Sequence, residues 1–124
     1  MSEALIREEF EALCAAHFDE HEGLILRDGA WTPKALAEWK AQLPHNPSEI
    51  EAAINHVHLR VLFWQPATLD VDEVRKIGTR IRDAWTDTLR EGFPDRQFRV
   101  LFHDQIDEEG FMDDFQVTAF QVHA

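Results

Sequence analysis

Four side chains suited to anion chemistry sit at alternating positions of two apolar segments. His58 and Arg60 lie in the segment His56–Trp64, and Arg99 and His103 lie in Gln97–His103. Residues two apart in a strand share a face, so each segment turns its pair to one side. A guanidinium group donates in a planar fork that matches a carboxylate or a phosphate. His58, Arg60, Arg99 and His103 are therefore the candidate anion-binding residues, of either a small binding domain or an enzyme. His56 and His58 also have a spacing that can chelate a transition metal, but the sequence fixes no third ligand. No metal or other cofactor is expected.

The turn from Asp104 to Asp114 is rich in carboxylates. Setting Gly110 at the sixth place of a calcium loop puts Gln105 first and Gln116 last, so both end carboxylates are missing. The turn instead reads as a docking loop. Asp107, Glu108 and Glu109 would meet a basic partner, with Phe111 and Met112 as apolar anchors and Trp64 as a further contact. Cys14 is the only cysteine and falls among apolar residues of a helical pattern, which suits inert packing. No nucleophile elbow, phosphate loop or dinucleotide fingerprint occurs.

Twelve Lys and Arg face 24 Asp and Glu, a formal net charge of −12. Such a surface repels a phosphate backbone, so nucleic acid is excluded as a partner. Two functions from different classes follow. One is a non-enzymatic protein-binding module, of inhibitor or immunity type, for a basic protein. The other is the anion-binding domain or enzyme built on the four residues above. Self-association as a homodimer is compatible with both. No apolar run approaches the roughly 20 residues that span a bilayer, the first residues carry charges throughout, and no internal disulfide can form. A cytoplasmic protein with no membrane partner is expected.

The elements that position these residues follow from periodicity. The 124 residues match about one domain, mainly helical over 1–55 and β-α-β-β over 56–124. Ile6, Phe10, Leu13, Cys14, His17 and Phe18 recur at helical spacing, predicting a helix over 3–21 that Gly23 ends. Leu24–Thr32 reads as a hairpin about Asp28-Gly29 or as an irregular link. Thr32-Pro33 and Asn46-Pro47 each open a short helix, the second with a reciprocal cap from Asn46 and Glu49 or from Ser48 and Glu51.

His56–Trp64 alternates as a strand. Val74, Ile77, Ile81, Trp85 and Leu89 then make the stripe of the longest helix, in which Gly78 implies close approach to the sheet. Gln97–His103 and Phe115–Val122 are the remaining strands. The predicted fold is α+β: a mixed sheet of three or more strands, with the long helix on one face and the N-terminal helices covering the other. The strands flanking the long helix are expected to be parallel, joined by a right-handed crossover, with the strand order left open.

Overall fold

The computed structural model describes residues 3–59, 71–105 and 115–122. Its elements are α1 (Glu3–Cys14), β1 (Phe18–His21), β2 (Leu24–Arg27), α2 (Pro33–Gln42), α3 (Pro47–Asn55), β3 (Val57–His58), α4 (Val71–Gly92), β4 (Phe98–His103) and β5 (Gln116–Gln121). The fold is α+β, with a long helix, a two-stranded hairpin and a three-stranded sheet.

The helical stripe predicted over 3–21 breaks after Cys14, and Phe18–His21 is a strand. Glu22 (φ 52°) and Gly23 (φ 86°) both take positive φ, the signature of a two-residue hairpin turn whose twist suits the strands. Gly23 therefore reverses the chain instead of capping a helix. Leu24–Arg27 pairs backward with β1, Phe18 opposite Arg27, and not forward across Asp28-Gly29. The lysine of Lys40 ties Glu22 to α2 and holds the Glu22 carboxyl below its ordinary range through that hydrogen bond.

β2 is buried on both faces and separates two cores. Ile25 joins Leu13, Phe18, Val57, Val74, Ile81, Trp85, Leu89, Phe115, Val117 and Ala119. Leu24 and Leu26 point the other way, to Leu36, Ile50 and Ile54 of α2 and α3. In the first core Trp85 is fully buried, meets Phe18 edge-on at 5.4 Å, and donates its indole N–H to the Leu13 carbonyl at 2.8 Å. That bond anchors α1 to α4 and meets the need of a buried indole for a partner.

The three-stranded sheet has the order β3-β5-β4, and β5 is antiparallel to both neighbours. β3 and β4 point the same way, as expected, and β5 lies between them. The third strand thus splits the β-α-β unit. Of the strand predicted over His56–Trp64, the described residues show Val57–His58, after which Leu59 N–H donates to the Phe115 carbonyl at 3.0 Å; Arg60 onward, including Trp64, lies outside the described residues.

The predicted alternation holds on β4 and β5. Phe98, Val100 and Phe102 turn inward while Arg99, Leu101 and His103 are exposed, and Phe115, Val117 and Ala119 are buried. α4 packs on the inner face. α1 lies against α4 and not against the outer face of the sheet. The outer cover comes from α3, which packs chiefly on β5. Leu101 and Val122 remain 47% and 46% exposed.

α3 takes over part of the sheet's hydrogen bonding. The side-chain caps predicted at its start do not form: Asn46 makes none. Ser48 instead donates to the Gln121 carbonyl at 2.7 Å. Glu51 accepts from the backbone N–H of Ile25 (2.7 Å) and of Gln121 (3.1 Å). Asn55 accepts from Arg27 N–H (2.8 Å) and donates to the carbonyls of Ile25 and Ala119, both at 3.0 Å. β3 is too short to pair with β5 beyond Val117, so helix side chains satisfy the backbone groups it leaves, as buried polar groups require. The start of α2 behaves as predicted, with Thr32 accepting from Ala35 N–H at 3.1 Å.

Candidate functional site

His58 and His103 are both register partners of Gln116. They share the outer face two strands apart, roughly 10 Å by the usual strand spacing. The His56 ring meets His58 edge-on at 4.8 Å, and its Nδ1 bonds the Ala53 carbonyl. His56 and His103 stand at the rim of a concavity of about 560 Å³, with Ala52, Ala53, Leu101 and Phe102 among its lining. Thr118 also lines it, but its hydroxyl already donates to the Ala52 carbonyl at 2.7 Å. The arrangement suits an apolar side chain with a polar margin. Among the described residues no group of three or more His, Cys, Asp or Glu could hold a metal ion.

Arg99 does not join the histidines. It stands four residues before His103, roughly 13 Å along β4, and opens onto a second concavity of about 560 Å³. There it meets Arg90 from α4 and Arg96 from the connection between α4 and β4. Arg60 lies outside the described residues, as do the proposed contacts Trp64, Asp107, Glu108, Glu109, Phe111 and Met112. Reasoning from strand faces had no means of finding Arg90. It approaches from the helix, and only the docking of α4 on β4 brings it beside Arg99.

Arg96 is already committed. It pairs with Glu20, and donates to Gln121 Oε1 at 3.1 Å and toward the Gly23 carbonyl at 3.5 Å. Gln121 in turn donates to Gly23 O at 3.0 Å and to Glu51 Oε2 at 2.6 Å. The network locks the β1-β2 turn onto the end of β5. Arg90 and Arg99 have no ion pair among the described residues, and both are exposed.

The decisive feature of this region is backbone. Val122 N–H donates to the Gln97 carbonyl at 2.9 Å, so Gln97 faces β5. In an antiparallel ladder both backbone groups of a residue point the same way, and successive residues alternate. Arg99 and Leu101 therefore also face β5, while Phe98, Val100 and Phe102 aim their N–H and C=O groups away from it. On that side no strand pairs with β4 among the described residues. The second concavity has Thr86 and Arg90 of the helix on one side and Arg99 and Val122 of the outer face on the other. A hollow lined from both faces of a sheet wraps around its rim.

Comparison with protein families, with curated proteins and with solved structures finds no match to this chain. Among the described residues no helix is long and apolar enough to cross a membrane.

Cys14 is half-buried against the first core, and burial pushes its thiol above the ordinary range, partly opposed by Arg80. The raised value keeps less of it as the nucleophilic thiolate. At pH 8, iodoacetamide is expected to label Cys14 about tenfold more slowly in the native chain than in urea. Equal rates in a mass-spectrometric time course would contradict this.

Proposed function

We propose that the chain is a non-enzymatic protein-binding module that takes an extended segment of its partner along the outer rim of β4, where no strand pairs among the described residues. The observation supporting this reading is the row of outward backbone groups at Phe98, Val100 and Phe102, with a concavity at each half of the strand. An unpaired strand edge is a ready template for another chain, and main-chain bonds supply affinity while flanking hollows select side chains. The net charge of −12 favours a partner that is basic over most of its surface, as an inhibitor or immunity-type protein would meet. Trp64, Asp107, Glu108, Glu109, Phe111 and Met112 are further proposed contacts. A lone cysteine fits a cytoplasmic setting.

Two measurements test the edge. In the free chain the amides of Phe98, Val100 and Phe102 are expected to exchange with solvent about 100-fold faster than those of Arg99 and Leu101. Uniform protection along β4 would mean that the rim is already covered. Val100→Pro removes the central donor, and proline is tolerated on an edge where the N–H points outward. The variant is expected to stay folded and to lose proteins that co-purify with the wild type at low salt. Retention of the same proteins by a folded Val100→Pro chain would overturn the reading.

A further inference from the structure

We propose that the segment added to β4 carries acidic side chains, and that Arg90 and Arg99 read them. This rests on β4 being the docking rim, and adds the chemistry of the occupant. Arg90 stands on the helix side of the rim and Arg99 on the outer face, and the same concavity joins them. A strand laid along Phe98–Phe102 alternates its side chains between those two sides. Whichever face its carboxylates take, one guanidinium group meets them. Neither arginine has an ion pair among the described residues of a chain whose acids outnumber its bases two to one. Arg96 is held by Glu20 and Gln121, so its charge is already paired, and Arg90 and Arg99 carry the recognition.

The local charge is thus opposite in sign to the whole. The complement of an acidic protein with a basic rim is a basic protein that offers an acidic strand. Charge also argues against a second copy of this chain. Pairing β4 with β4 would bring a further −12 and would set two sets of unpaired arginines near one another. Like charges placed together oppose association.

Two blocked, fluorescein-labelled octapeptides test the proposal against the full chain by anisotropy at low salt. One alternates valine with glutamate; the other has lysine in place of glutamate. Net charge alone would favour the lysine peptide, so the two readings give opposite signs. We expect the glutamate peptide to bind about tenfold more tightly. Arg90→Ala combined with Arg99→Ala should erase the preference, and binding should slow exchange at the amides of Phe98, Val100 and Phe102.

Equal or reversed preference overturns the proposal. If those three amides are still protected in that case, strand addition survives and only the acidic occupant is lost. Failure of both peptides to bind overturns both readings. A concentration-dependent dimer that protects the same amides would assign the rim to a second copy. A rise in melting temperature with inorganic phosphate equal to that with the glutamate peptide would assign the arginines to a small anion. Either result overturns the acidic strand.

Discussion

Asn55→Ala is expected to lower the stability of the fold by about 3 to 5 kcal/mol, because three backbone groups, two buried and one part-buried, lose their partner at once. Asn55 is almost fully buried and bonds Arg27 N–H, Ile25 O and Ala119 O. Each orphaned group costs about 1–3 kcal/mol, and partial relaxation keeps the total below the simple sum. The melting temperature should fall by about 10 to 20 °C. Glu51, one helical turn earlier, holds Ile25 N–H and Gln121 N–H in the same manner, so Glu51→Ala should act in the same direction. The two residues are the principal polar joint between the hairpin and the three-stranded sheet, and their double variant should be less than additive. Asn55→Asp, which keeps an acceptor for Arg27 N–H but has no amide donor for the two carbonyls, separates the two halves of the role. A fall of less than about 3 °C for Asn55→Ala would mean that water or a neighbour replaces the lost bonds.

This joint was hidden in the sequence for a physical reason. Ser48, Glu49 and Glu51 after Asn46-Pro47 have the spacing of local helix caps, and local chemistry accounts for them without any tertiary contact. The rival use, a helix edge standing in for a missing strand, depends on β3 starting only at Val57, so that α3 and not a strand lies opposite Ala119 and Gln121. Periodicity reports which side of a segment is apolar but not how many of its residues find a partner strand. The same limit explains α1. Phe18 extends the helical stripe of Ile6, Phe10, Leu13 and Cys14, yet it reaches the core from a strand and packs on Trp85. The informative signal was Glu22-Gly23, a two-residue turn able to take positive φ twice, rather than the stripe before it.

What the sequence did carry was the sidedness of β4 and β5 and the stripe of α4, since both arise from alternation that the structure keeps. Those faces placed His58 and His103 on one side across Gln116. They could not place Arg99 with them, because distance along a strand separates residues that share its face. Nor could they reveal the rim. Strand order is set by which hydrogen-bonded neighbour is present, and a central and an edge strand can share one pattern of side chains. With β5 in the middle, the segment Phe98–His103 is an outer strand among the described residues, and its backbone joins its side chains in the proposed surface.

The position of that rim depends on Gly78, where the expected effect of a single methyl is next in size. A Cβ built at Gly78 would collide with the Phe102 ring at Cζ and Cε1. Gly78→Ala should gain about 1 kcal/mol of helix propensity and lose more through the clash. The net expectation is a destabilisation of about 1 to 2 kcal/mol. Phe102 packs on Phe115, whose ring centroid is 6.0 Å away, so turning the ring aside gives up that contact. Phe102→Leu alone should also destabilise, but in its presence Gly78→Ala should become neutral or stabilising, because the colliding ring tip is gone. Urea titrations of the four chains of this cycle measure the coupling directly. Additive effects would mean that the helix and strand slide apart freely, and that the close approach does not hold β4 in place. Because Phe102 also presents one of the three outward backbone pairs, Gly78→Ala should weaken peptide addition along β4 more than its small cost in stability accounts for. A rim defined by how tightly the long helix grips its outer strand has that dependence built in.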